Sequence, residues 1–465
     1  MVKRRVRPRK RRRHNPTSAL LRRYATLARQ FPVTDESKTY GALVTAETNA
    51  KYPVQRWFHF KEAYSIDLLA KLITRWRIPK NAIRRILDPF CGTGTTLLAA
   101  QRLAKKWDVD LEAVGIERNP LLHFIAQTKL LWNIFDADGF RSKTAYLLNG
   151  ARKPTTRKIP DLSTFQRRDI LPPTRIRKLI GFRNAINAVD GLEKLPLLLG
   201  FASALEDVSG IRKDGRMIRL VKNKQRSATP AALKKVWGEI AEDLKKAPEF
   251  FEAVRTKVLL GDGRTLTAER GTDTFREFDL IVYSPPYLNN IDYTEVYKIE
   301  LWLCGFVKTR ADFRALRHLT FRSHPSVRFK TLVTITKRKE LKNIKRTLQK
   351  LLNAIPGDED YTWRVRLFTA YFDDIYQSLK HQYRALRPSG WVFCVVGNSL
   401  HGSSVTPNKH VPVVLDLLIA FIAAEIGFEV KGIQIARYLK RRGTNSNLLR
   451  ESIVVLRKPR SPKRR

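Results

Sequence analysis

ILDPFCGTGTT (residues 86–96) joins a short apolar run at 85–87 to a stretch with helical periodicity at 93–105. Gly92 and Gly94 permit a tight turn and a close approach of backbone to a ligand, and the unpaired amides of a helix start favour a negatively charged group. Residues 111–116 read as a second strand and 121–131 as a second helix, so the stretch opens a βαβ unit and a parallel sheet. Glu117 closes the second strand, where a carboxylate can accept both hydroxyls of a ribose. A phosphate-cradling NTPase loop requires Lys after its last glycine, and Thr95 stands there instead. Asp88, the two glycines and Glu117, in that order, point to an adenosine-containing cofactor.

Far downstream, FDLIVYSPPYLNNIDY (residues 278–293) sets Ser-Pro-Pro-Tyr directly after another apolar strand, 278–283. Two prolines remove two N–H donors and hold Ser284 and Pro285 extended, so that their oxygens point outward. Acceptors beside an aromatic ring suit an amino group on a planar base, with the ring stacked on the base. Asn289, Asn290, Asp292 and Tyr293 follow closely enough to line the same pocket.

The remaining chain divides around these motifs. Residues 1–40 read as a basic N-terminal arm leading into a helix around 19–30. The α/β pattern occupies 41–150, 256–305 and 366–458, with a strand at 257–260, a helix at 368–386, a turn at RPSG (387–390), a strand at 391–396, a helix at 411–426 and strands at 429–435 and 451–457. Residues 151–255 lack the alternation and read as an inserted helical subdomain. Residues 306–365 read as a basic insertion and the candidate for target recognition, and 459–465 as a basic tail. The fold class is therefore α/β, a Rossmann-like domain with a mostly parallel sheet interrupted by basic, largely helical insertions.

Charge says what kind of partner to expect. The 465 residues carry 89 Lys and Arg against 43 Asp and Glu, a net charge of +46. Nine basic residues lie in 1–13 and six in 457–465, yet most of the excess belongs to the body, and 306–350 alone holds 14 basic and 2 acidic residues. A polyanionic partner is the economical reading, because each neutralised phosphate releases counterions. Three cysteines far apart in sequence exclude a disulfide scaffold and a cysteine-only zinc site. The most apolar stretch, 411–428, is broken by Asp416 and Glu425, which argues against a membrane span. A cytoplasmic location, beside the nucleoid in a prokaryote, is expected.

Together the motifs resemble the amino-group DNA methyltransferases dependent on S-adenosylmethionine, in particular the branch that methylates N4 of cytosine. DPFCGTGTT resembles that family's cofactor loop, and SPPY its catalytic signature, with Ser where many adenine enzymes have Asp. YPVQRWFHFKEAYS (52–65) resembles the segment that closes over the methionine end of the cofactor, and GDGRTL (261–266) the strand end that contacts the adenine. VVGNS (395–399) and RYLKRRGTNSNLLRESIVVLRK (437–458) resemble its later elements.

The resemblance implies S-adenosylmethionine held by Phe58, His59, Asp88, Phe90, Gly92, Gly94, Thr95, Glu117 and Asp262. It implies catalysis by Ser284, Pro285, Pro286 and Tyr287, and no metal. Ser284 Oγ and the Pro285 carbonyl would accept from the amine, and Tyr287 would stack on the extruded base. No Pro-Cys pair exists to serve a C5-cytosine enzyme. The expected partner is double-stranded DNA, with the enzyme acting alone or beside a restriction endonuclease. Three other readings are N6-adenine methylation, RNA base methylation, and a catalytically silent nucleic-acid-binding relative.

Overall fold

The computed structural model describes residues 16–150, 170–213, 218–269, 275, 277–288, 291–329, 335–339, 341–355, 361–402, 410–439 and 447–460. The densest parts of both basic tails, and Asn289 and Asn290, lie outside the described residues.

Nine strands form one sheet: β1 (Val33–Asp35), β2 (Arg85–Asp88), β3 (Glu112–Glu117), β4 (Arg255–Asp262), β5 (Thr267–Ala268), β6 (Phe278–Tyr283), β7 (Leu386–Gly397), β8 (Glu429–Tyr438) and β9 (Arg450–Arg457). Their spatial order is β1-β8-β9-β7-β6-β2-β3-β4-β5. From β7 to β4 every neighbouring pair is parallel, while β9 runs antiparallel to both β7 and β8. This is a Rossmann-like arrangement, extended at one edge by β1 and at the other by β5. The central strands are apolar on both sides because helices cover both faces, as a parallel sheet requires. One face buries the helices Leu68–Arg75, Thr95–Trp107 and Pro120–Leu130, and the other Tyr361–Ala385 and Leu415–Ile426.

The insertion between β3 and β4 contains the helices Pro173–Asn187, Lys194–Val208 and Thr229–Phe250, which pack on the first face. The stretch after β6 contributes Arg310–Leu319 and Lys342–Ala354. Helix Pro16–Ala28 buries Leu20, Tyr24 and Leu27, and β1 pairs with β8, so residues 16–40 are built into the domain rather than standing off as an arm. Among the described residues no helix is long and apolar enough to cross a membrane.

Two local expectations give way. RPSG is no turn between helix and strand: β7 runs through it, and the pairing with β6 jumps from Phe278–Leu386 to Leu280–Trp391 around Ser389 at φ +68°. The excursion is absorbed as a bulge, which lets the sheet continue. Nor is 411–426 all helix. His410–Val413 pairs with Ser399–Gly402 and the helix starts at Leu415, since Pro412 is unsuited to a helix interior and an apolar run does not by itself distinguish strand from helix.

Candidate active site

β3 and β6 lie on opposite sides of β2, so the sheet switches direction there, and in such sheets ligands bind beyond the carboxyl ends of the strands. A cavity of about 500 Å³ opens at that point. Its walls bring together Gly92 from the loop after β2, Glu117 from the end of β3, Asp262 from β4, and Ser284, Pro286 and Tyr287 from the loop after β6.

The glycine loop is shaped by its own hydrogen bonds. Gly92 and Gly94 adopt φ of +52° and +84°, which glycine alone reaches without strain. Glu117 clamps the loop: its carboxylate accepts the Gly92 amide at 2.9 Å and the Asn119 amide at 2.7 Å. Burial pushes Glu117 up to about 7 despite those amides. Each carboxylate oxygen has a second lone pair. Asp88 is more a staple than a ligand group, since it accepts the Phe90 amide at 3.0 Å and the hydroxyls of Tyr64 and Thr96. Burial raises it to about 6.

Gly94 does not line the cavity. A Cβ there would stand 3.2 Å from the Ala126 Cβ, so this glycine lets two helices approach. Thr95 does line it and accepts from the Gln55 side chain at 2.9 Å. Gln55 is fixed in turn by the wholly buried Lys129, whose ammonium donates to its carbonyl at 2.9 Å and is driven down to about 7 by burial.

The segment 52–65 forms the roof, with one shift from expectation. Phe58 is turned into the core, its ring 5.9 Å from that of Tyr297, while Phe60 faces the cavity over Gly92. His59 lines the wall, held below its ordinary pKa by burial and by Lys61. The roof is anchored from the insertion. Asp243, buried on helix Thr229–Phe250, accepts the Val54 amide, the Trp57 indole N–H and the Arg56 guanidinium.

Phe90, from the glycine loop itself, and Phe321 lie edge to face, 5.7 Å between centroids, and line the cavity as Asp262 does. Both Asp262 oxygens are engaged by Arg264 at 2.7–3.1 Å; burial raises this carboxyl but the guanidinium outweighs it and keeps it low. Gly263 presses on the loop, since a Cβ there would lie 1.9 Å from the Pro89 carbonyl oxygen.

Ser284, Pro286 and Tyr287 wall the cavity, whereas Pro285 is buried behind them. The Ser284 hydroxyl donates to Tyr287 Oη at 2.9 Å, and Tyr287 donates to Glu451 at 2.8 Å. The Pro286 carbonyl accepts from Tyr371 at 3.1 Å. Tyr293 also lines the cavity, while Asp292 caps a short helix and pairs with Arg317. His401 is packed against Phe368, with its Nε2 2.9 Å from the Leu288 carbonyl oxygen, outside the cavity.

Sequence reasoning did not single out Gln55, Phe60, Glu62, Asn119, Asp243 or Glu451. Glu451 had a readable signal, an acid at the head of the apolar strand SIVVL. The carboxylate Oε1 of Glu62 and the Nδ2 of Asn119 are buried without a partner, and both residues line the cavity. One orphan acceptor and one orphan donor, with the Glu117 carboxylate and two aromatic rings, fit a ligand bearing an amine, ribose hydroxyls and a planar base.

No family model matches the chain. It is 27% identical to the type II methyltransferase M.AvaI of Nostoc sp., over 90% of this chain and 89% of that protein. It is 24% identical to the type II methyltransferase M.BsoBI of Geobacillus stearothermophilus, over 96% and 94%. Among solved structures, an rRNA methyltransferase of Streptomyces viridochromogenes matches with a TM-score of 0.29 at 9% identity, over 85% of each chain. A SAM-dependent methyltransferase of Methanosarcina mazei matches with a TM-score of 0.27 at 9% identity, over 84% and 98%. Superpositions this loose add nothing to the topology. The sequence matches, by contrast, align at least nine-tenths of the chain with each of these two type II methyltransferases.

Proposed function

We propose that this protein is a DNA methyltransferase that uses S-adenosylmethionine and methylates the exocyclic N4 amine of cytosine in a base turned out of the duplex. The observation that supports it is the meeting of Gly92, Glu117 and Ser284 in the walls of one cavity. Glu117 would receive the ribose hydroxyls, the touching pair Phe90 and Phe321 would offer the adenine an apolar wall, and Glu62 and Asn119 would satisfy their orphan atoms on the cofactor's polar groups. When bound, that cofactor supplies an electrophilic methyl group on a sulfonium.

The protein's own contribution is positional. The cytosine amine is a weak nucleophile because its lone pair is delocalised into the ring. Ser284 Oγ, accepting an amine N–H, favours a pyramidal nitrogen with its lone pair aimed at the methyl carbon. With the cofactor bound, the methyl group would pass to the amine as the C–S bond broke, and the nitrogen, then cationic, would lose its proton to water. Alignment of this kind can supply ~7–11 kcal/mol. Tyr287 stacks on the base. Ser rather than Asp at the head of the signature favours cytosine. The exposed residues Lys308, just before the helix Arg310–Leu319, and Arg310 and Arg314, on it, lie on the approach to the cavity-lining Leu319 and Phe321 and suit a DNA backbone.

The test is to incubate purified protein with labelled S-adenosylmethionine and either DNA or RNA, then identify the modified nucleoside by mass spectrometry. N4-methylcytosine in DNA is expected. N6-methyladenine would overturn the base assignment, and product on RNA alone would overturn the DNA substrate.

A further inference from the structure

We infer that Glu451 is a positioning residue for methyl transfer, acting through Tyr287 to fix the Ser284 hydroxyl as a hydrogen-bond acceptor toward the substrate amine. The inference rests on the reading of Ser284 given above. A serine hydroxyl rotates freely and can donate or accept, and a donor turned toward the amine would compete for the lone pair that must attack. The chain of bonds removes that ambiguity. A carboxylate can only accept, so Glu451 Oε1 takes the Tyr287 proton at 2.8 Å. Tyr287 Oη, its proton committed, accepts from Ser284 at 2.9 Å. The Ser284 proton therefore points away from the substrate and its lone pairs remain for the amine.

Both ends of this relay are held. Arg437 Nε donates to the other Glu451 oxygen at 2.6 Å, and the Glu451 side chain is 7% exposed. The Tyr287 ring packs directly on Gly397, where a Cβ would stand 2.9 Å from Tyr287 Cε2. Burial and the neighbouring Glu451 charge raise the Tyr287 phenol far above its ordinary value, which keeps the proton the relay needs. Glu451, Arg437 and Tyr287 all line the cavity that Ser284 lines.

The decisive variant is Tyr287→Phe, which retains the ring and removes only the hydroxyl. If stacking were its whole role, the variant would work at the wild-type rate. We expect the single-turnover rate constant on a DNA substrate to fall about tenfold, with the Kd values for cofactor and DNA unchanged, a loss worth ~1.4 kcal/mol. Ser284→Ala and Tyr287→Phe should be strongly non-additive, since without Ser284 there is nothing left to orient. Glu451→Gln, whose amide can donate to Tyr287 and reverse the chain, should fall similarly; if it fails to fold, Tyr287→Phe carries the test. An active wild type with full activity in Tyr287→Phe, or single losses that simply multiply in the double variant, overturns the relay. A wild type that methylates no nucleic acid fails earlier, at the proposed function, and takes the relay with it.

Discussion

Asp243 Oδ2 accepts the Val54 amide at 3.1 Å across 189 positions of chain, and the bond holds a buried β-branched residue at φ +63°. That backbone region is unfavourable for valine and persists only where its surroundings over-determine it. The long insertion thus braces the roof of the cavity. Asp243→Ala would strip the acceptor from Val54, Arg56 and Trp57 together. With Arg56 a third exposed and able to recruit water, we expect a loss of about 2–3 kcal/mol in urea unfolding. Cofactor affinity should weaken as well, and unchanged values of both would show that the roof stands without the insertion.

Ser284→Ala removes the acceptor for the substrate amine while leaving the glycine loop untouched. Transfer should slow on the order of 10²-fold, the scale of a misplaced reacting group. Cofactor binding, measured by calorimetry without DNA, should stay within about twofold. Equal losses in both would place Ser284 in the architecture of the pocket and not in the chemistry.

The carboxyls of Asp88 and Glu117 make a joint prediction about pH. Burial raises them from 3.8 to about 6 and from 4.5 to about 7. The folded protein therefore holds protons that the unfolded chain has already released. Between about pH 4 and 7 their ionisation lowers the stability of the ligand-free protein as pH rises, and the effect levels off above 7. The ionised Glu117 is the better acceptor for ribose hydroxyls, so cofactor affinity should rise over the upper part of that window. Melting curves and calorimetric titrations from pH 5 to 8 would check both slopes. Parallel rather than opposite slopes would contradict the assignment of Glu117.

Gly263→Ala forces a methyl group into the space of the Pro89 carbonyl oxygen. Backbone has little room to yield, so either β4 or the loop after β2 must move. A loss of about 1–3 kcal/mol is expected, with weakened cofactor binding in whatever folds. Wild-type melting and affinity would mean that the contact is looser than the structure shows.

Replacing Lys308, Arg310 and Arg314 with Gln tests the basic block after β6. Each lost phosphate contact should reduce the slope of log affinity against log salt by about 0.9. An unchanged slope would move recognition to the insertion between β3 and β4.

The parts of the fold that could be read in the sequence were those written in local patterns. β2, β3 and the helices after them were legible because apolar runs, glycines and helical periodicity are properties of neighbouring residues. Ser284 and Gly92 could be named for the same reason. The contacts that complete the site join distant segments: Asp243 with Val54, Gln55 with Lys129, Tyr287 with Glu451. No periodicity encodes such pairs. The exchange of Phe58 for Phe60 at the cavity wall has a subtler cause. The positive φ of Val54 and the 3-10 turn Gln55–Trp57 set which side of the chain faces inward, and residue type does not reveal that phase.

β9 is slotted between β7 and β8, and it brings Glu451 to Tyr287, the residue that holds the Ser284 hydroxyl. A ribosome that has already released the glycine loop and SPPY has therefore not yet supplied the last member of the hydrogen-bonded chain Ser284–Tyr287–Glu451. Until the last strand threads between its two neighbours, the emerging polypeptide carries both signature motifs and an unanchored serine. A chain broken off just before Arg450 would keep both signature motifs and lose the carboxylate that accepts from Tyr287.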